Sequence, residues 1–176
     1  LQTCIRPVLL NLRDYQRLSV PLLRGLSKLL SLLSSWFNKT LGEKLLDHLQ
    51  KWMDPGRILN SKLWPVGEEP AVAAAIVEIF ALLPNASNFV EPLVKTCMKL
   101  EASLPALKVR CIQSPYRKPL ARYLSKHASS TVTFFFKRLP TPMYSELFQW
   151  LVRGEESTEL RRHLCGKPCS MMILNH

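Results

Sequence analysis

Four side chains near the C-terminal end could hold a metal: His163, Cys165, Cys169 and His176. Zinc takes thiolates and imidazoles in tetrahedral sets, and a Cys-x-x-x-Cys spacing is tolerable for it. A second Cys or His pair at finger spacing is missing. His163 and Cys165 lie two apart on an expected helix, so they point to different faces. Helix-end packing accounts for all four, and no metal or other cofactor is expected. His48 sits at the edge of an apolar helix face and reads as a packed core histidine. The acid pairs Glu68-Glu69 and Glu155-Glu156 fall at helix starts, where they favour the positive end of the helix dipole. No Gly-x-Ser-x-Gly elbow, Gly-x-x-x-x-Gly-Lys loop or Gly-x-Gly-x-x-Gly turn occurs. The sequence carries no enzyme signature.

The pattern with a mechanism is basic. Lys118, Arg122 and Lys126 are spaced i, i+4, i+8 and line one stripe of an expected helix over 115–127. Tyr116, Leu120, Tyr123, Leu124 and His127 form the opposite face. Like charges four apart cost only about 0.2–0.5 kcal/mol per pair, so a solvated face is one explanation. The other is an electropositive ridge, with Arg110, Arg117, Lys137 and Arg138 close in sequence. Such a ridge attracts acidic, partly apolar peptides; charge speeds the encounter and apolar side chains supply affinity. The candidate partner-binding residues are therefore Arg117, Lys118, Arg122, Lys126, Lys137 and Arg138.

The charge of the whole chain follows the same division. Of 176 residues, 24 are Lys or Arg and 13 are Asp or Glu, a formal net charge of +11. Residues 1–42 carry +5, residues 43–101 carry −2, and residues 102–145 hold eight bases and no acid. A polyanionic or acidic partner is one reading of this excess. Compensation by neighbouring parts of a large assembly is the other. Five scattered cysteines do not make a disulfide scaffold, which suggests a reducing compartment. No apolar run is long enough to cross a membrane. The chain starts at Leu1 with no signal-peptide pattern and reads as an internal segment.

The elements that must position these residues are helices. Only 6 Gly stand against 13 Pro, and the prolines fall between or at the start of periodic segments. From Leu22, apolar residues recur at Leu26, Leu29, Leu30, Leu33, Trp36 and Phe37, which predicts an amphipathic helix over 19–37. Thr40 and Glu43 fit a capping box for a second helix, over 40–53. Residues 70–83 are apolar nearly all round, with Glu78 the exception, so that helix is buried on more than one side. Ser87 or Asn88 suits the cap of the next, which continues to 103. Helices at 115–127, 130–139, 142–153 and 156–165 complete the series. Thr131 to Phe136 has the β-branched and aromatic content of a strand, but nothing nearby offers it a partner, so helix is preferred. The pairs 19–53, 70–103, 115–139 and 142–165 make an irregular repeat near the HEAT length. The expected fold is all-α: an α-solenoid of HEAT-like antiparallel helix pairs, with residues 1–176 one stretch of a larger solenoid and no internal domain boundary.

Several stretches carry a family resemblance. They are Leu12-Arg-Asp-Tyr through Val20, Leu22 through Leu46, Gly67-Glu-Glu-Pro-Ala-Val-Ala-Ala-Ala through Pro84, Phe89-Val-Glu-Pro-Leu-Val-Lys95, and Ser114-Pro-Tyr-Arg-Lys-Pro-Leu-Ala-Arg-Tyr-Leu-Ser-Lys-His127. Together they resemble the transformation/transcription domain-associated protein (TRRAP) family, closely over 1–127 and more loosely beyond, where Leu160-Arg-Arg-His-Leu is still similar. These are helix-packing sequences, so the specificity of the match lies in its length. The resemblance implies a very large nuclear scaffold related to the phosphatidylinositol-3-kinase-like kinases, with a kinase-like domain that lacks catalytic residues. It implies membership of SAGA- and NuA4-type histone acetyltransferase complexes and contact with acidic transcriptional activators. This stretch would belong to the HEAT solenoid, onto which no active-site residue maps. The alternative function is a basic helical nucleic-acid-binding module. Against it, zinc-finger, RRM and KH signatures are missing and the aromatics mostly fall on expected core faces.

Overall fold

The structure, a computed structural model, describes residues 18–32, 39–51, 69–83, 86–103 and 114–166. Among these described residues, eight α-helices follow one another: α1 (Val20–Leu32), α2 (Lys39–Lys51), α3 (Glu69–Phe80), α4 (Val90–Ser103), α5 (Arg117–Lys126), α6 (Ala128–Phe136), α7 (Pro142–Arg153) and α8 (Thr158–Gly166). Short 3-10 turns, Ser87–Phe89 and Glu155–Ser157, lead into α4 and α8. No strand occurs among the described residues.

Like-placed helices of successive pairs stack on one another. α1 packs on α3 and α3 on α5, forming one layer; α2 packs on α4 and α4 on α6, forming the other. Cross-layer packing of α2 on α3, α4 on α5 and α5 on α6 seals the seam. The fourth pair departs from this pattern. α8 packs against both α5 and α6, while α7 lies on α6. The result is an all-α solenoid with one continuous core running from Leu18 to Leu160. An amphipathic helix pair cannot bury its apolar faces alone, so each pair relies on its neighbours.

The apolar faces fall where the periodicity places them on α3 and α4, but on α1 the expected stripe is rotated: Leu26 is buried, Leu23 takes the place of Leu22, and Leu22 and Leu29 are only half-buried. Leu23 and Leu26 of α1, Leu45 and Leu49 of α2, and Leu93, Cys97 and Leu100 of α4 are all buried. α3 buries Val72, Ala73, Ile76, Val77, Ile79 and Phe80 and leaves Glu78 outside. Phe80 lies edge-on to Phe89 (5.5 Å) and to Tyr123 (6.0 Å), locking α3, the turn before α4, and α5 together. The fully buried Tyr123 donates its hydroxyl to the carbonyl of Ala86 at 2.5 Å. Burial holds that phenol well above its ordinary pKa. Gly42 faces the Phe89 ring so closely that a Cβ there would sit 2.6 Å from Cε2.

The Thr131–Phe136 stretch is helical. Thr131 and Thr133 turn their hydroxyls back onto the carbonyls of Leu124 and Ser129 (2.8 and 2.9 Å), which satisfies these β-branched residues inside a helix. Phe134 and Phe135 then pack against Tyr144 and Phe148 of α7. Two expected caps are displaced. α2 begins at Lys39, so Thr40 lies inside the first turn rather than at its cap. Ser87 and Asn88 lie in the 3-10 turn, which has no side-chain cap, and α4 starts at Val90. Leu33, Trp36 and Phe37, expected on the face of the first helix, lie outside the described residues.

Candidate functional site

α5 presents the cation stripe as its spacing requires. Tyr116, Leu120, Tyr123 and Leu124 are buried on one side, while Lys118, Arg122 and Lys126 face outward. The outward side chains do not stand alone in solvent. Arg122 bridges two carboxylates: Nε and Nη2 each donate to Glu156 at 3.0 Å, and Nη1 donates to Glu78 at 2.8 Å. The planar guanidinium uses both edges, which an ammonium could not do. Lys126 donates Nζ to the carbonyl of Ala81 at 2.6 Å, just past the last turn of α3, where helix carbonyls lack intrahelical partners.

The flanking cations are also engaged. Arg117 pairs with Glu101 of α4 at 2.7 Å and lies 5.5 Å from the centroid of Trp150 in α7. Arg138 pairs with Glu91 at 2.7 Å, caps the carbonyl of Phe134 at 3.2 Å, and covers the Phe134 ring at 4.2 Å. Lys118 and Lys137 make no ion pair among the described residues. Arg110 lies outside them.

The electrostatics follow from these contacts. Glu156 is held below the ordinary carboxylate range by the hydrogen bonds from Arg122, with the charges of Arg122 and Lys118 adding to the effect. The same hydrogen bond raises Arg122. Glu91 is lowered first by its hydrogen bond from Lys95, then by the charge of Arg138. The ring of half-buried His127 lies tilted against Tyr123, 4.9 Å between centroids, and its Nε2 has no hydrogen-bond partner among the described residues. Burial, with a smaller contribution from Lys126, lowers its pKa.

Among the described residues, one open cleft touches the stripe at Lys118 and another lies apart from it, at Lys137 and Arg138. One, of about 550 Å³, runs between α5 and α7 and is lined by Lys118, Ala121, Glu146, Trp150, Arg153 and Glu155. The other, of about 350 Å³, lies beside α6 and exposes Ser87, Asn88, Ser129, Thr133 and Lys137. Of the four metal candidates, two fall on described residues and two do not. His163 is half-buried in α8, Cys165 is exposed at its end, and Cys169 and His176 lie outside the described residues. No group of three or more His, Cys, Asp or Glu side chains suited to a metal occurs among the described residues. His48 is buried in the core. No described helix is long and apolar enough to cross a membrane.

Sequence reasoning overlooked the acids. Glu78, Glu91, Glu101 and Glu156 each lie 16 to 47 positions from the cation they meet. One sequence feature could have found them: an acid-free stretch flanked by acid-bearing repeats, in a fold whose repeats stack.

Stacked helix pairs, a continuous apolar core and charged ties between repeats define a HEAT-type α-solenoid segment. The family model described as "Tra1 HEAT repeat ring region" matches residues 1–176, the whole chain. The chain is 44% identical over 157 residues to "Probable transcription-associated protein 1" of Dictyostelium discoideum, covering 88% of this chain and 3% of that protein. It is 38% identical over 168 residues to "SAGA complex/NuA4 acetyltransferase complex subunit TRA1" of Saccharomyces cerevisiae, covering 91% and 4%. Against "Transformation/transcription domain-associated protein" of Homo sapiens the identity is 28% over 196 residues, covering 99% and 5%. The chain belongs to the Tra1/TRRAP family and corresponds to its HEAT repeat ring region. It spans only about a twentieth or less of the length of these relatives.

Proposed function

We propose that this chain is a non-catalytic scaffold segment of a nuclear transcription coactivator subunit in SAGA/NuA4-type acetyltransferase complexes. It offers surfaces to other subunits and to acidic transcriptional activators. The observation that carries this reading is the match of the whole chain to a HEAT ring region, together with relatives whose names place them in those complexes. The distribution of charge supports it over nucleic-acid binding. Arg117, Arg122 and Arg138 are held by carboxylates of this same chain, so these three guanidinium groups would have to leave their partners to meet a phosphate backbone. Of the six candidate partner-binding cations, Lys118, Lys126 and Lys137 meet no carboxylate among the described residues; Lys126 is held by a carbonyl, whereas Lys118 and Lys137 each line a cleft.

The test is affinity purification of the full-length protein from nuclear extract, with and without nuclease, alongside a Lys118→Glu/Lys137→Glu variant. Acetyltransferase subunits should co-purify and survive nuclease. The double reversal should weaken capture of an acidic activator peptide while leaving the complex assembled. Co-purification that disappears with nuclease, or a preparation without acetyltransferase subunits, would overturn the reading.

A further inference from the structure

Arg122 joins parts of the chain that lie far apart in sequence. Glu78 is 44 residues before it, in the last turn of α3; Glu156 is 34 residues after it, in the turn leading to α8. Both carboxylates project from firmly held backbone. Glu78 is flanked by the fully buried Val77 and Ile79, and Glu156 directly precedes the fully buried Ser157. Three residues beyond Ser157, the amide of Leu160 donates to Ser125 Oγ of α5 at 3.3 Å. The distance between the two carboxylates therefore reports the angle between the helix pairs that carry them. One rigid guanidinium spans that distance. One turn along the stripe, Lys126 makes a second tie back to the end of α3.

We propose that Arg122 is a three-repeat tie: it fixes the relative angle of the pairs containing α3, α5 and α8, and this part of the solenoid loosens on both sides of α5 when either carboxylate arm is removed or screened by salt. A local ion pair would act only on the residue it touches. A tie must act across α5, because Glu78 and Glu156 hold one rigid guanidinium from different sides, and releasing either leaves the other arm's geometry unfixed. The tie is half exposed, so salt should weaken it, and its removal should leave the core intact.

The experiment is hydrogen–deuterium exchange on the full-length protein, comparing the parent with Arg122→Gln, Arg122→Lys, Glu78→Gln and Glu156→Gln. Exchange is read at residues 77–83 and 155–160. Exposed pairs of this kind should shift local opening by about 2–5-fold. Arg122→Gln should speed exchange in both windows. Arg122→Lys should give an intermediate result, since a point charge cannot bridge with two edges. Glu78→Gln should speed exchange at 155–160, and Glu156→Gln at 77–83. Raising salt from about 0.05 M to about 0.5 M should bring the parent toward Arg122→Gln. Exchange that changes only beside the removed carboxylate, a lysine variant identical to the parent, or no change at all would overturn the proposal.

Discussion

Gly42 and Gly25 offer a paired test of how tightly successive repeats pack. Both lie inside helices, α2 and α1, so replacing either with alanine brings the same propensity gain of about 1 kcal/mol. Their surroundings differ. A Cβ at Gly25 meets nothing within 4 Å, whereas one at Gly42 sits 2.6 and 2.7 Å from Cε2 and Cζ of Phe89. Phe89 cannot swing aside freely, because it is 5% exposed and held edge-on by Phe80, which in turn rests on Tyr123. Forcing a methyl into such a site costs about 1–3 kcal/mol. Because the propensity gain is common to both, it cancels in the comparison. The Gly42→Ala protein should open about 5- to 150-fold more often than Gly25→Ala, since 1.4 kcal/mol is about tenfold. Native-state proteolysis reads this directly when opening and closing are fast relative to cleavage. Adding Phe89→Leu, which lacks the clashing ring atoms, should cost less in the Gly42→Ala background than in the parent. Equal susceptibility of the two alanine variants, or strictly additive effects with Phe89→Leu, would refute the close approach of α2 to the turn before α4.

Two further outcomes follow from groups outside the stripe. Cys97 is fully buried, and burial, with the nearby Glu101 charge, pushes its thiol far above the ordinary value, so an exposed-thiol reagent should label Cys165 quickly and Cys97 only on unfolding. Burial lowers His127 below its ordinary value of 6.5, so the unfolded chain takes up that proton first; stability should be flat above this pH, fall as pH drops through 6.5 to the folded value, and lose that slope in a His127→Phe variant followed by thermal unfolding.

The helices were legible because the 3.6-residue period is strong and the prolines punctuate it. The expected 142–153 helix is found at Pro142–Arg153, with proline in its first turn. The Thr131–Phe136 stretch was ambiguous because propensity there favours a strand. Tertiary packing on Tyr144 and Phe148 decides it, and no local rule could. Caps were misplaced by one to three residues because their side chains are not what begins those helices; α4, for example, begins by continuing a 3-10 turn. The outward position of Lys118, Arg122 and Lys126 came directly from their spacing. What those residues touch did not, since Glu78 and Glu156 are brought to Arg122 only by the stacking of three pairs. Local periodicity gives faces; inter-repeat geometry gives partners.

The most direct test of the scaffold account is a density map of the full-length protein within its native assembly, at a resolution that shows side chains. The account predicts α1, α3 and α5 stacked in one layer and α2, α4 and α6 in the other, and Arg122 held between Glu78 and Glu156. It also predicts polypeptide of other subunits or activators on the surfaces around Lys118 or Lys137. Nucleic-acid phosphates lying along Lys118, Arg122 and Lys126, or a nucleotide bound within residues 18–166, would contradict it.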